Sequence, residues 1–151
     1  MWNTDKIIEK VKDSADRYGL NNPQQSKQLA FAIGKSDGQE IANALFSFFT
    51  IEQINTSDRQ ELAGSLLYKL KPQAEFDLKS IILKSLKYYD PSVEELPYYM
   101  VEAKGLDFTV SEINKIETNF LSSIEKRSLD TVKYWLRNYE RLTSFAAYCR
   151  R

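Results

Sequence analysis

Apolar residues return every three or four positions along almost the whole chain, and short runs of Ser, Asp, Asn, Pro and Gly separate the periodic segments. No segment shows the strict alternation of a half-buried strand. The pattern predicts an all-α protein of about seven helices. The first spans Asn3 to Tyr18, with Ile7, Ile8, Val11, Ala15 and Tyr18 on one stripe and Gly19 behind it. The second runs from Pro23, at the favoured first helical position, to Ile33, with Gly34 closing it. The next two open on the same pattern, S-D-x-Q-E-[IL]-A, at Ser36 and again at Ser57. In each, the serine is expected to cap the helix while Gln39 or Gln60 reaches back to complete a capping box. A fifth helix covers Ala74 to Tyr88 behind Pro72, and the last covers Ser128 to Tyr148.

The stretch Leu86 to Gly105 interrupts this regularity and holds four of the nine tyrosines. Asp90-Pro91-Ser92 ends the fifth helix, because proline disfavours helical geometry in the residue before it. Ser92 is expected to start a new helix with Glu95 as its capping partner. Pro97 then predicts a kink, or a single turn followed by a helix restarting at that residue. Leu96, Tyr99, Met100 and Ala103 fall on one stripe, and Gly105 is the expected cap. The first interpretation of the stretch is a corner of the core built from large rings. The second places the hydroxyls of Tyr88 and Tyr98 at the rim of a groove, where amphipathic rings anchor a partner.

A longer echo sets LKSLKYY at Leu83 on LDTVKYW at Leu129, matching Leu86 to Val132, Tyr88 to Tyr134 and Tyr89 to Trp135. In that period the chain resembles the HEAT and armadillo helical-repeat families, built from hairpins of roughly 40 to 47 residues. The resemblance covers Ser36 to Tyr148 and implies stacked helical hairpins, a HEAT-like short solenoid. The alternative is an irregular helical bundle. In either case the expected organisation is a single all-helical domain over residues 1–151.

Composition narrows the chemistry. Glycine (5) and proline (4) are scarce while 42% of residues are hydrophobic, which fits a packed helical protein rather than a disordered chain. Histidine is absent, which removes Ser-His-Asp and Cys-His hydrolysis and nearly all zinc and non-haem iron sites. One cysteine, Cys149, forms no internal disulfide and agrees with a reducing compartment. Neither GxGxxG nor GxxxxGK[ST] occurs. The expectation is therefore a non-enzymatic chain with no catalytic residue, cofactor or metal. The N-terminal segment has no signal-peptide core, and the longest apolar run, Ala44 to Ile51, is far short of the roughly 20 residues needed to span a bilayer. These features predict a cytoplasmic protein with no membrane partner.

Charge is balanced in total, 21 Lys and Arg against 21 Asp and Glu, but not in distribution. Residues 90–125 hold eight acids and two bases, a local charge of −6, whereas residues 126–151 hold seven bases and two acids, a local charge of +5. The two segments either pair with each other or recognise a charged partner. On the last helix Tyr134, Arg137, Arg141 and Tyr148 recur on one face, interleaving guanidinium and aromatic groups. With Tyr88 and Tyr98 they form the candidate partner-binding set. The expected function is a protein–protein interaction module, similar in size and composition to adaptor subunits and toxin-neutralising immunity proteins. The alternative is a nucleic-acid-binding protein that uses the basic, aromatic C-terminal helix.

Overall fold

The computed structural model describes residues 1–149, with side chains described as far as Thr143. Among these residues the fold is all-α, with eight helices: α1 (Thr4–Tyr18), α2 (Pro23–Ile33), α3 (Gly38–Thr50), α4 (Thr56–Leu70), α5 (Leu78–Ser85), α6 (Glu95–Lys104), α7 (Leu106–Asn114) and α8 (Ser123–Cys149). They pack as a bundle around a continuous core that runs from Ile7 and Val11 of α1 to Val132 and Leu136 of α8. The α3 and α4 helices pack on each other and on α1, while α6 lies against α4, α7 and α8. No described helix is long and apolar enough to cross a membrane.

Local signals place the first two helices as expected. The Asn3 side chain accepts from the Lys6 N–H, Asn22 accepts from Gln25, and the glycine N–H groups of Gly19 and Gly34 close the two C-termini. The expected capping boxes at Ser36, Ser57 and Ser92 do not form. Asp37, not Ser36, caps α3, and the Ser36 hydroxyl instead accepts from the Trp2 N–H at 2.9 Å. The α4 helix starts one residue before Ser57 with no side-chain cap, and Ser92 bonds to Asp90 in the turn before α6. The reciprocal box that does form lies at Ser122 and Glu125, ahead of α8. It moves the start of that helix five residues upstream of the expected Ser128.

Released from capping, the two motif glutamines clip distant backbone. Gln39 donates to the Glu75 carbonyl at 3.0 Å and accepts from the Glu75 N–H at 2.9 Å. Gly38 makes this approach possible, since a Cβ there would stand 2.3 Å from the Gln73 carbonyl oxygen. Gln60 is fully buried; it donates to the carbonyls of Phe48 and Tyr88 and accepts from the Asp90 N–H. Each glutamine therefore supplies, from a helix N-terminal turn, the hydrogen bonds that an irregular connection lacks. The Gln39 clip holds residues 71–77 as an irregular connection, and α5 begins at Leu78, four residues later than expected.

The Asp90–Val93 turn leads to α6, where Pro97 is only the third residue. The first backbone N–H groups of a helix have no intrahelical partner, so proline there breaks nothing; as in the second expectation a turn precedes a new helix, which starts at Glu95, two residues before Pro97. The α7 helix, not expected from the pattern, follows directly after Gly105. The 46-residue echo does not fall on equivalent structure. Leu86 to Tyr89 lie beyond the end of α5, whereas Val132 to Trp135 are mid-helix in α8; Leu83 is exposed and its counterpart Leu129 buried.

Candidate functional site

The α8 helix carries most of the candidate residues, and its faces divide cleanly. Leu129, Val132 and Leu136 point into the core. Trp135, Asn138 and Tyr139 dock the helix on the α4–α6 side: the Trp135 indole donates to the Pro91 carbonyl at 3.0 Å, Asn138 donates to the Tyr98 hydroxyl at 2.7 Å, and the Tyr139 hydroxyl donates to Glu102 at 3.0 Å. The third face carries Tyr134, Arg137 and Arg141, all exposed, with Tyr134 half exposed at 50%. Their spacing along a 3.6-residue turn is what brings them together.

Tyr98 does not stand at a groove rim. It is 6% exposed and its ring is enclosed by Tyr68, Trp135 and Tyr139 at centroid distances of 5.2 to 6.3 Å. Burial raises its phenol above the ordinary tyrosine value, only partly opposed by the Asn138 bond. Tyr139 is pushed up to about 12, chiefly by burial and also by its bond to Glu102. Both rings therefore stay protonated through the neutral range and serve as neutral hydrogen-bonding groups, not nucleophiles. Neighbouring Tyr99 is 1% exposed and donates to the Pro72 carbonyl at 2.5 Å. Tyr88 is half-buried on the turn after α5, its carbonyl held by Gln60 and the Lys87 ammonium 5.8 Å from its ring centre. The structure links Tyr134 to Tyr98 only through Trp135, whose ring lies edge-on to both. Tyr148 lies outside the residues whose side chains are described.

Beside the outer face, α7 and α8 enclose a cleft of ≈180 Å³ floored by Val110, Ile113 and Leu136 and edged by Lys133, Arg137 and Glu140. The α7 wall was missed because nothing in the sequence singled out Val110 and Ile113 as a site; only their helical spacing with Leu106 marked a further apolar stripe. Arg137 and Arg141 form no ion pair among the described residues. No described ion pair joins the acidic segment to the basic one either. Glu102 is held by Lys71 and Tyr139, Glu112 by Lys115, and Glu125 by the cap of α8. Hydrogen bonds from Trp135, Asn138 and Tyr139 and ring packing dock α8, and none of them uses Arg137 or Arg141.

Among the described residues no three His, Cys, Asp or Glu side chains gather as a metal site, and every buried side-chain nitrogen or oxygen has a hydrogen-bond partner. The one carboxyl that burial pushes upward, Glu95 at the start of α6, lies beside Glu94 and Glu61. Comparison of the chain with protein-family models, with curated proteins and with solved structures found no match.

Proposed function

We propose that this chain is a non-enzymatic protein-binding module that meets an acidic partner with the outer face of α8. What supports this reading is one observation: Arg137 stands exposed at the edge of an apolar cleft, with Arg141 and Tyr134 exposed on the same helix face, and neither arginine is paired among the described residues. Guanidinium groups recognise carboxylates in a forked, bidentate geometry, and the cleft accepts an apolar side chain from the same partner. Glu140 shares the cleft edge with Arg137, and Asp130 lies on the same helix. That mixture suits a protein surface better than a continuous phosphate backbone, which favours an unbroken basic stripe.

The test is recovery of partners by the tagged full chain, in parallel with Arg137→Glu/Arg141→Glu and Tyr134→Ala variants. A protein recovered by the wild type and lost with the double charge reversal supports the proposal. Partners that bind both forms alike sink it. Anisotropy with single- and double-stranded RNA and DNA at low salt checks the other class. Affinity tighter than about 10⁻⁴ M that weakens steeply with salt and with the double variant replaces the protein-binding reading with a nucleic-acid one.

A further inference from the structure

The α2 helix is unusual in what it leaves uncovered. Of its 11 residues only Ala30 and Ile33 are buried, and it carries no acid. Indeed no acidic residue occurs between Asp16 and Asp37. Phe31, at the centre of its outward stripe, is 71% exposed. Between the C-terminal halves of α2 and α4 runs an open groove of ≈500 Å³ lined by Lys27, Ala30, Phe31, Gly34, Lys35, Lys69 and Leu70. Its floor is apolar, its rim has three ammonium groups, and no carboxylate lines it. None of the three lysines forms an ion pair among the described residues; the Lys35 ammonium instead rests 4.5 Å from the Phe31 ring centre. An exposed ring with a cation folded over it is a preformed apolar contact bordered by positive charge.

We infer that the α2–α4 groove is a second docking site, taking a short acidic segment of a partner protein that seats one bulky apolar side chain against Phe31 and Leu70 while its carboxylates meet Lys27, Lys35 and Lys69. Charge complementarity selects the occupant: three unpaired ammonium groups around an acid-free apolar floor favour carboxylates flanking an apolar anchor. A flat anionic membrane reaches only the outward stripe of α2, where Lys27 and Phe31 alternate with the neutral Gln24 and Gln28. A narrow peptide also reaches Ala30, Gly34 and Leu70 inside the groove. The site uses different helices from the α8 face and stands whether or not that face binds.

A displayed library of random peptides selected against the immobilised full chain tests the assignment. Winning peptides are then titrated by fluorescence anisotropy against the wild type, Phe31→Ser, Lys27→Glu/Lys35→Glu/Lys69→Glu and Arg137→Glu/Arg141→Glu. Winners should be rich in Asp and Glu around Leu, Phe or Trp. They should lose about tenfold or more in affinity with the first two variants, keep it with the third, and weaken as salt is added. Phe31 is exposed, so its variant is expected to melt with the wild type, and a matching thermal melt confirms that the loss is local. Four results overturn the inference: no winners, neutral or basic winners, acidic winners indifferent to Phe31 and the lysines, or Phe31-dependent binding to phosphatidylglycerol vesicles. Concentration-dependent self-association abolished by Phe31→Ser overturns it as well, in favour of a second copy as the occupant.

Discussion

Two helices of nearly equal length show what aromatic residues do in this protein. The α6 helix has ten residues and buries Leu96 to Val101 without a break; the α2 helix has eleven and buries two. Tyr98 resembled an anchor at a groove rim, yet its hydroxyl is engaged inside the fold with Asn138, as that of core Tyr99 is with Pro72. Phe31 in α2 has no polar handle and lies in the open. A helix apolar around most of its circumference is surrounded by others, and one with a thin apolar stripe sits at the edge. The lesson is that ring count marks the centre of this bundle, while the exposed ring beside unpaired lysines marks a surface.

The contrast is broken most forcefully by truncating α6. Tyr99→Ala is expected to cost about 3–5 kcal/mol, the range for large aromatic truncations in a core, and Tyr98→Ala falls at the low end of it because its ring is buried but 6% exposed against 1% for Tyr99. Tyr99→Phe keeps the ring but orphans the Pro72 carbonyl and costs about 1–2 kcal/mol. Urea melts measure all three, and a Tyr98→Ala midpoint equal to the wild type would return that ring to the surface. A smaller effect is expected where α4 closes on the start of α6. A Cβ on Gly64 would stand 2.7 Å from Val93 Cγ1, so Gly64→Ala should destabilise by about 1–3 kcal/mol through overpacking, read as a lower Tm.

Glu95 sharpens the comparison through pH. Burial, with help from Glu94 and Glu61, raises its carboxyl above the ordinary 4.5. A carboxyl raised on folding contributes stability that is present below its unfolded pKa and lost as pH rises through its folded pKa. At pH 7 the wild type therefore carries a disfavoured charge. Glu95→Gln should stabilise the protein there, and the gain should vanish below pH 4.5 in paired urea melts. Last, Phe31→Ser should change stability by no more than about 0.5 kcal/mol, as expected for an exposed side chain; a larger loss would mean that α2 is packed more deeply than its exposure indicates.

Periodicity and local caps settle the fold class, the extents of α1 and α2, and the outward grouping of Tyr134, Arg137 and Arg141. Each depends on residues within a turn or two of one another: a 3.6-residue period, an Asn cap, a closing glycine. Periodicity also placed Tyr99 in the core. Tertiary structure alone decided the rest. Gln39 and Gln60 carry local capping signals, yet each has a stronger use 36 and 30 residues away respectively, satisfying the backbone of a connection that no helix ladder serves. Tyr98 and Tyr99 are neighbours of one type, and Tyr98 became internal because α8 returns from forty residues downstream to cover it. The α7 wall of the cleft and the α2–α4 groove likewise exist only where separate helices converge. Local periodicity fixes which way a side chain leaves its own helix, but only packing decides whether another helix is waiting there.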